Sequence, residues 1–550
     1  MYTTLCRGLA RLCMWLGILG LVAVICAVSW QVFGRYVLNN TPTWAESLAL
    51  LLVIYVTMFG VAVGVRDAGH IGLESLLVLA PDWLRLKMEF LIHGLVLVFG
   101  AVMAWNCALL AESVWDYRLP TLWISEGWKY VPATIAGVLI VMFSIGLSAL
   151  ATLAYEGLPL AVGFQQMTSG MGIFSFLAIP FFIFAGELML YGGIADRIVD
   201  FARSAVGHVR GGLGMSNVVA CTLFGGVSGS PVADVSAMGA VMIPMMKKEG
   251  YHADYAVNVT THAALVGALM PTSHNLIIYS LAAGGKVSIA ALILAALLPA
   301  AILTISNLAA AYLVAVKRGY PAGTFPGWAI VARSFAAALP GLFIVVLILG
   351  GILSGIFTAT ESAAVAVLYA LALTVFVYRS IKWEHFIKAA SKAVRTTGVI
   401  LLLIGISSTF GYLISLYGVA ELTGQMLSQI TTTPWLIFLM INVILFVLGT
   451  FLDMAATILL CTPIFLPIAQ QYGMTSVQFG IVLLINCALG LNTPPVGTTQ
   501  FVGCAIGGVS VGTVMRTIWP FYGALVFALA LVTFVPAFST WLPSMFMAVR

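Results

Sequence analysis

Long apolar runs and short polar breaks alternate along the whole chain. Four runs fill the first 155 residues, at about 13–34, 45–65, 88–111 and 131–155. Each is close to the ~20 residues a helix needs to cross a hydrocarbon core, so each predicts a membrane-spanning helix. Beyond them the runs are richer in glycine. A run at 172–192 is followed by an amphipathic stretch, 194–210, and a segment 213–245 broken from Gly225 to Pro231. Then come 254–284, broken near Pro271, a long run at 288–316, and runs at 335–353, 362–378 and 396–417. The last are 434–468, broken near Asp453, 477–505, broken at Asn492–Gly497, and a closing run, 518–545.

Two of the broken segments have arms of roughly 12–16 residues, too short to cross a core about 30 Å thick. Two short arms meeting at a small polar tip predict a re-entrant hairpin. Non-helical backbone at membrane depth is tolerated only against protein or a watery cavity, so the tips mark a solute site. The other two, at Pro271 and Asn492–Gly497, predict broken helices.

Composition fixes the class. Of 550 residues, 62% are hydrophobic and 8% charged, against about 45–50% apolar and about 25% charged in soluble proteins. The chain is expected to be an all-α polytopic membrane protein. A soluble enzyme and a disordered chain are excluded. The net charge of +5 comes from 24 basic and 19 acidic residues, too few for a nucleic-acid-binding face. The eight cysteines form no CxxC pair or metal-ligand spacing, and most sit in apolar runs as small hydrophobes. The tryptophans of the first part, from Trp15 to Trp128, read as an interfacial belt against membrane lipids. Glu46 and Glu187 read as scaffold. No cleavable signal is evident.

Arg7 and Arg11 precede the first run, which predicts a cytoplasmic N-terminus. Arg66, Arg85 and Lys87 fall in a loop on the same side. Arg210, Lys247 and Lys248 flank the first hairpin and place its mouth in the cytoplasm. Strict alternation would put residue 192 outside, so either 194–210 returns inward or the span count is off by one; the charges decide the orientation. Lys317, Arg318, Arg333, Arg379, Lys382, Lys388, Lys392 and Arg395 mark the inner side. No Lys or Arg occurs between Arg395 and Arg516. Five spans separate the two hairpins, and an odd number puts their mouths on opposite faces.

The second part also resembles itself at an offset of 223. Pro244 matches Pro467, Gly250 matches Gly473, Gly267 matches Gly490, and Pro271 matches Pro494. Gly284-Gly285 matches Gly507-Gly508, and Val287-Ser288 matches Val509-Ser510 after one inserted residue. Repeat one covers about 172–316 and repeat two about 335–545. An inverted-topology repeat with midplane breaks is the signature of secondary transporters.

The first tip runs Gly225-Gly226-Val227-Ser228-Gly229-Ser230-Pro231. Its carbonyls and hydroxyls suit a hard cation such as sodium; the alternative is turn geometry alone. Asp234 lies one turn on, and an intramembrane carboxylate is a functional candidate by default; otherwise it ties down the tip backbone. Asp453 parallels Asp234 at the second tip, four residues out of register, with Thr450 and Thr457 beside it. The same two readings apply. The first break reads Met270-Pro271-Thr272-Ser273-His274-Asn275, and the second Leu491 to Thr499, with Asn492, Thr493, Pro494, Gly497 and Thr498. Proline frees a carbonyl in the preceding turn, and the half-helix N-termini favour anions. His274 is either a packed histidine or a substrate contact. No tip or break carries an arginine, so a carboxylate would depend on helix ends, hydroxyls, amides and bound cations.

At these residues the chain resembles the tripartite ATP-independent periplasmic (TRAP) transporters. The stretches "FLAIPFFIFAGELM" (176–189), "GHVRGGLG" (207–214), "GGVSGSPVADVSAMG" (225–239), "FTATESAAVA" (357–366) and "LNTPPVG" (491–497) resemble the large, M-type subunit. "QVFGRYV" (31–37), "WAESLA" (44–49) and "RDAGHIGLESL" (66–76) resemble the small, Q-type subunit. The resemblance implies a four-helix Q-like scaffold, 1–147, and an M-like transporter part, 148–550, one of each in a single chain. It implies a sodium-coupled elevator-type importer of organic anions, carboxylates or sugar acids, in a bacterial inner membrane. A periplasmic substrate-binding protein would deliver the solute. The sodium ligands it implies are Ser228, Gly229, Ser230, Asp234, Pro271, Thr493, Pro494 and Gly497, to which the reading of the tips themselves adds Gly226, Thr450 and Asp453. The substrate contacts it implies are Ser228, Ser230, Ser273, His274, Asn275, Asn492, Thr493 and Thr498. Here the first break reads PTSHN where the family shows a PPSIP-like run. The last Q-like helix and the first M-like helix merge into one span near residue 147.

An enzyme is not expected. No HExxH or paired intramembrane Asp motif occurs, and the one GxSxG match, Gly508 to Gly512, lies at a Gly-Gly turn rather than a strand-to-helix elbow. The alternative class is a stand-alone ion-coupled dicarboxylate carrier or antiporter of another inverted-repeat family.

Overall fold

The structure, a computed structural model, describes residues 2–66, 98, 100–119, 121–139 and 159–547. The loop carrying Arg85 and Lys87, most of the stretch 66–76, and the junction near residue 147 lie outside the described residues. Among the described residues every regular element is helical, and β pairing is confined to two isolated bridges. Nine helices among them are long and apolar enough to cross a membrane, or up to eleven if each of two bent pairs is one span.

The chain forms two compact units. The first comprises Met1–Phe184, Thr358–Val365 and Lys382–Val419. Helices Tyr2–Tyr36 and Thr43–Arg66 pack in it against the long helix Trp383–Leu416. Hydrocarbon offers no hydrophobic drive for this, so small residues that let backbones approach take over. A methyl group on Gly398 would lie 2.6 Å from the Val61 nitrogen and 2.8 Å from the Thr57 carbonyl oxygen. Helix Leu160–Met171 joins the same long helix, where the Thr409 hydroxyl donates to the Gly163 carbonyl at 2.7 Å. Arg35, from "QVFGRYV", pairs at 3.0 Å with the buried Glu361 of "FTATESAAVA". Glu361 also accepts the Thr358 amide at 2.8 Å while its own amide donates to the Thr358 hydroxyl at 3.2 Å. This reciprocal pair caps the helix that starts at Ala359.

The second unit comprises Ala185–Phe357, Ala366–Ile381 and Ala420–Arg550 and contains both hairpins. The first has arms Gly212–Ser228 and Pro231–Lys248; the second has Pro434–Phe451 and Met454–Gln471. The arms are 17, 18, 18 and 18 residues long, longer than expected. Helix continues through Pro244, Pro463 and Pro467, and each polar tip shrinks to two residues, Gly229-Ser230 and Leu452-Asp453. Gly229 is left-handed, at φ 63°, as the helix C-terminus requires, and Pro231 opens the next arm. The broken helices are also present. Ala253–Leu269 and His274–Ala282 meet at 51°, and Ser476–Leu491 is separated from Thr498–Gly507.

The repeat is visible in the helix boundaries. Shifted by 223, the first hairpin's arms fall on 435–451 and 454–471, within one residue of the observed arms. The amphipathic helix Ile194–Val206 finds a partner in Val419–Ile430, which the hydropathy pattern did not separate as an element. Five candidate spans lie between the hairpins among the described residues, the first broken helix, Ile289–Lys317, Trp328–Leu353, Ala359–Val377 and Trp383–Leu416, followed by the short Val419–Ile430.

Two expectations change. The helix Ile194–Val206 is 13 residues long, about 20 Å, and does not supply a return crossing. Residues 140–158, between the last Q-like and first M-like helices, lie outside the described residues. The closing run is two helices, Trp519–Phe534 and Ala537–Met547, bent by 55°. Pro536 has no amide for the Val532 carbonyl. Gln478 replaces it, its side-chain amide donating to the carbonyls of Val532 and Thr533 at 3.1 and 3.0 Å.

Candidate substrate and cation site

The first tip is seated on the first break. The Thr272 hydroxyl lies 3.3 Å from the Gly225 carbonyl oxygen and 3.2 Å from that of Gly226. A methyl on Gly225 would lie 2.8 Å from the Gly267 Cα, and one on Gly229 would overlap the Thr272–Ser273 peptide. Glycine is required here because backbone meets backbone. Ser228 donates its hydroxyl to one carboxylate oxygen of Asp234. The Ser230 amide donates to the Ser228 hydroxyl oxygen at 3.3 Å, and the Asp234 amide to the Ser230 carbonyl at 2.9 Å. Asp234 is fully buried, and its second oxygen, Oδ2, has no hydrogen-bond partner. That oxygen faces Gly267, where a methyl group would collide with it.

The second tip is seated on the second break by a different bond. The Val496 amide donates to the Thr450 carbonyl at 3.1 Å, and a methyl on Gly490 would overlap the Gly449 backbone. The Thr450 hydroxyl turns back to the Val447 carbonyl at 2.7 Å. Asp453 is exposed and caps its arm, accepting the Ala455 amide at 3.2 Å. The Thr457 hydroxyl donates to the Asp453 carbonyl at 3.0 Å. The Pro494–Pro495 peptide bond is cis.

Each break also presents a half-helix N-terminus. Ser273 caps the first, accepting the Asn275 backbone and side-chain amides, both at 3.3 Å. Pro271 is buried beside it. His274 opens this half-helix and is partly exposed, and its imidazole makes no hydrogen bond to another described residue. Gly497 caps the second, at φ 32°, and the buried Thr498 hydroxyl that follows has no partner. Asn492 is buried; its side-chain oxygen accepts from Thr499 and its Nδ2 is unpaired. Thr493 lies beside the Tyr522 hydroxyl at 2.8 Å.

The structure thus brings Gly226, Gly229, Ser228, Ser230 and Asp234 together with Pro271 and Ser273, and Thr450 together with Thr493, Pro494 and Gly497. The repeats are joined away from the tips, through Thr261 donating to Gln500 at 3.2 Å and Lys247 donating to the Gly507 carbonyl at 2.9 Å. Sequence reasoning missed Tyr522, Gln500 and His262. His262 and Gln500 carried the signal that singled out Asp234, a polar side chain in an apolar run. Tyr522 carried none.

No group of three or more His, Cys, Asp or Glu side chains capable of holding a metal occurs among the described residues, so the donor set is not that of a transition-metal centre. Carbonyls, hydroxyls and an unpaired carboxylate oxygen are the ligand types of a hard cation.

A helical membrane chain whose two hairpins each dock on a broken helix belongs to the class of secondary transporters. Residues 130–538 match the family described as "Tripartite ATP-independent periplasmic transporter, DctM component", and residues 24–154 match the DctQ component. The chain therefore belongs to the TRAP transporter family, with both membrane components in one polypeptide, and is a transporter rather than an enzyme. The two matches overlap over 130–154, within the span where the Q-like and M-like helices merge in the sequence.

The sialic acid TRAP transporter permease protein SiaT of Haemophilus influenzae is 30% identical over 607 residues, covering 96% of this chain and 98% of that protein. An uncharacterized protein of Salmonella typhimurium, YgiK, is 40% identical over 409 residues, covering 74% of this chain and 94% of its own. The C4-dicarboxylate TRAP transporter large permease protein DctM of Pseudomonas aeruginosa is 35% identical over 374 residues, covering 68% and 86%.

Proposed function

We propose that this chain is the inner-membrane permease of a sodium-coupled importer that takes a small organic anion from a periplasmic binding protein. The N-terminus is cytoplasmic on this reading, and residues 1–147 with 148–550 form the Q-like and M-like parts. The hairpins and broken helices move together, elevator-fashion, carrying the solute. The observation that carries the reading is the seating of each glycine-tight tip on its own break, with the buried Asp234 Oδ2 unpaired at the first. Ser228, Asp234 and the carbonyls of Gly226, Thr450 and Asn492 are the oxygens that would hold sodium. Bound there, sodium would supply the positive charge that these sites lack. The half-helix N-termini at His274 and Thr498, with Ser273, Asn275 and Thr493, then offer amides and hydroxyls to a carboxylate. Sialic acid and C4-dicarboxylates, named for the relatives, are the first substrates to try.

The test is uptake into proteoliposomes under an inward sodium gradient, with and without the binding protein from the same genome. Accumulation is expected only with both. Robust sodium-driven uptake without the binding protein removes the tripartite reading, and uptake that ignores the gradient removes sodium coupling.

A further inference from the structure

Around the second break the backbone carbonyls are satisfied in an unusual order. Pro494 and Pro495 lack the amides that would close helical bonds to Gly490 and Leu491. The Gly490 carbonyl accepts the Thr493 amide at 2.9 Å instead, and the Leu491 carbonyl lies 2.7 Å from the Thr499 hydroxyl, which it shares with the Asn492 side-chain oxygen. Val496 has an amide but sends it to Thr450, not to Asn492. The Asn492 carbonyl is left to a side chain from another helix: the Tyr522 hydroxyl donates to it at 2.8 Å.

The same hydroxyl oxygen is 2.8 Å from Thr493 Oγ1. Thr493 in turn donates to the Leu489 carbonyl at 2.8 Å. Three oxygen–oxygen contacts thus share two protons, one on Tyr522 and one on Thr493. Tyr522 can donate to Asn492 or to Thr493, but not to both. Swinging from one to the other leaves the number of hydrogen bonds unchanged. Its ring is held independently of the break, 5.7 Å from the His262 ring and 6.3 Å from that of Trp519.

We propose that Tyr522 is a positioning residue for the second break: its hydroxyl holds the Asn492 carbonyl in competition with a sodium ion and turns to Thr493 when that oxygen is taken. This rests on the reading of the break as a sodium site. Tyr522 then keeps the carbonyl satisfied in the empty transporter and weakens sodium binding by at most the strength of one hydrogen bond, since the turn to Thr493 recovers part of it.

The experiment is a thermal-stability titration of the full-length purified chain, with sodium chloride exchanged for potassium chloride at constant ionic strength. Tyr522→Phe is expected to melt lower in potassium, yet to reach half its sodium stabilisation at a lower concentration than wild type, by up to about tenfold, the ceiling set by one hydrogen bond. Loss of a merely structural tyrosine also lowers the melting temperature but leaves the sodium midpoint unchanged or raises it, so an unchanged or higher sodium midpoint overturns the proposal. Should the variant not survive purification, sodium activation of uptake in right-side-out membrane vesicles must show the same shift. A wild-type chain that does not respond to sodium sinks the sodium reading and this proposal together. A responsive wild type with an unmoved Tyr522→Phe midpoint sinks this proposal alone.

Discussion

Asp453 occupies in the second hairpin the place that Ser230 occupies in the first: each is the N-cap of its returning arm, 223 residues apart. Asp234, one turn into its arm, corresponds to Thr457. The hairpins therefore share a backbone plan but hold their single carboxylates at different levels. Asp234 is buried behind its tip, and Asp453 is exposed at its own.

Asp453 caps its arm; on the proposed cation reading it also faces the ion, and two substitutions separate the roles. Asp453→Asn keeps a capping oxygen. Its melting temperature in potassium is expected to stay within a degree or two of wild type, while its half-saturating sodium rises about tenfold or more. Asp453→Ala also loses about 1 kcal/mol of cap stabilisation. Sodium titrations of melting temperature and uptake would remove Asp453 from the cation site if both variants match wild type.

Gly267 separates Asp234 from the first break. A methyl there meets the Asp234 carboxylate and lies 3.5 Å from the Gly225 Cα. Gly267→Ala is expected to cost about 1–3 kcal/mol through overpacking and to cut uptake at least tenfold. Gly350 is also helical, and a methyl there meets nothing within 4 Å. Gly350→Ala should be neutral or slightly stabilising. Equal behaviour of the two variants would mean that the tip is not seated as described.

The Arg35–Glu361 pair is half-exposed on the arginine side and buried on the carboxylate side. Removing the arginine strands the buried charge, which costs more than removing both partners. Arg35→Ala is expected to lose about 1–3 kcal/mol, discounted for the exposed guanidinium. Adding Glu361→Gln should return part of that loss. Thermal melts of the two single variants and the double variant measure it; strict additivity would show no coupling.

His274 opens a half-helix and is partly exposed, and its imidazole has no hydrogen-bond partner among the described residues. His274→Ile should raise KM for the transported anion several-fold and leave the sodium midpoint unchanged. A wild-type KM would show that the imidazole does not meet substrate.

Much of this architecture is legible in the sequence because hydrocarbon punishes polar breaks severely. Gly225–Pro231, Pro271 and Asn492–Gly497 stood out for that reason, and all lie at tips or breaks. Hydropathy failed where helix persists through proline, as at Pro244 and Pro467, and where Pro536 bends a run that stays apolar throughout. It also missed Val419–Ile430, whose polar face blurs the boundary. Long-range partners left no local trace. Nothing near Arg35 points to Glu361, 326 residues away, and nothing near Tyr522 points to Asn492. The pairing of Asp453 with Asp234 followed residue type, whereas backbone register pairs it with Ser230.

In each repeat an asparagine on the outgoing hairpin arm ties that arm to the first half of its broken helix. Asn217 donates to Thr260 at 2.6 Å, and Asn442 accepts from Asn486 at 2.5 Å. All four side chains are buried. Prising a hairpin away like a lid would strand these amides without water, at about 1–3 kcal/mol for each group left unpaired. These ties join each hairpin arm to its broken helix as one block, which is the behaviour that the proposed elevator movement requires.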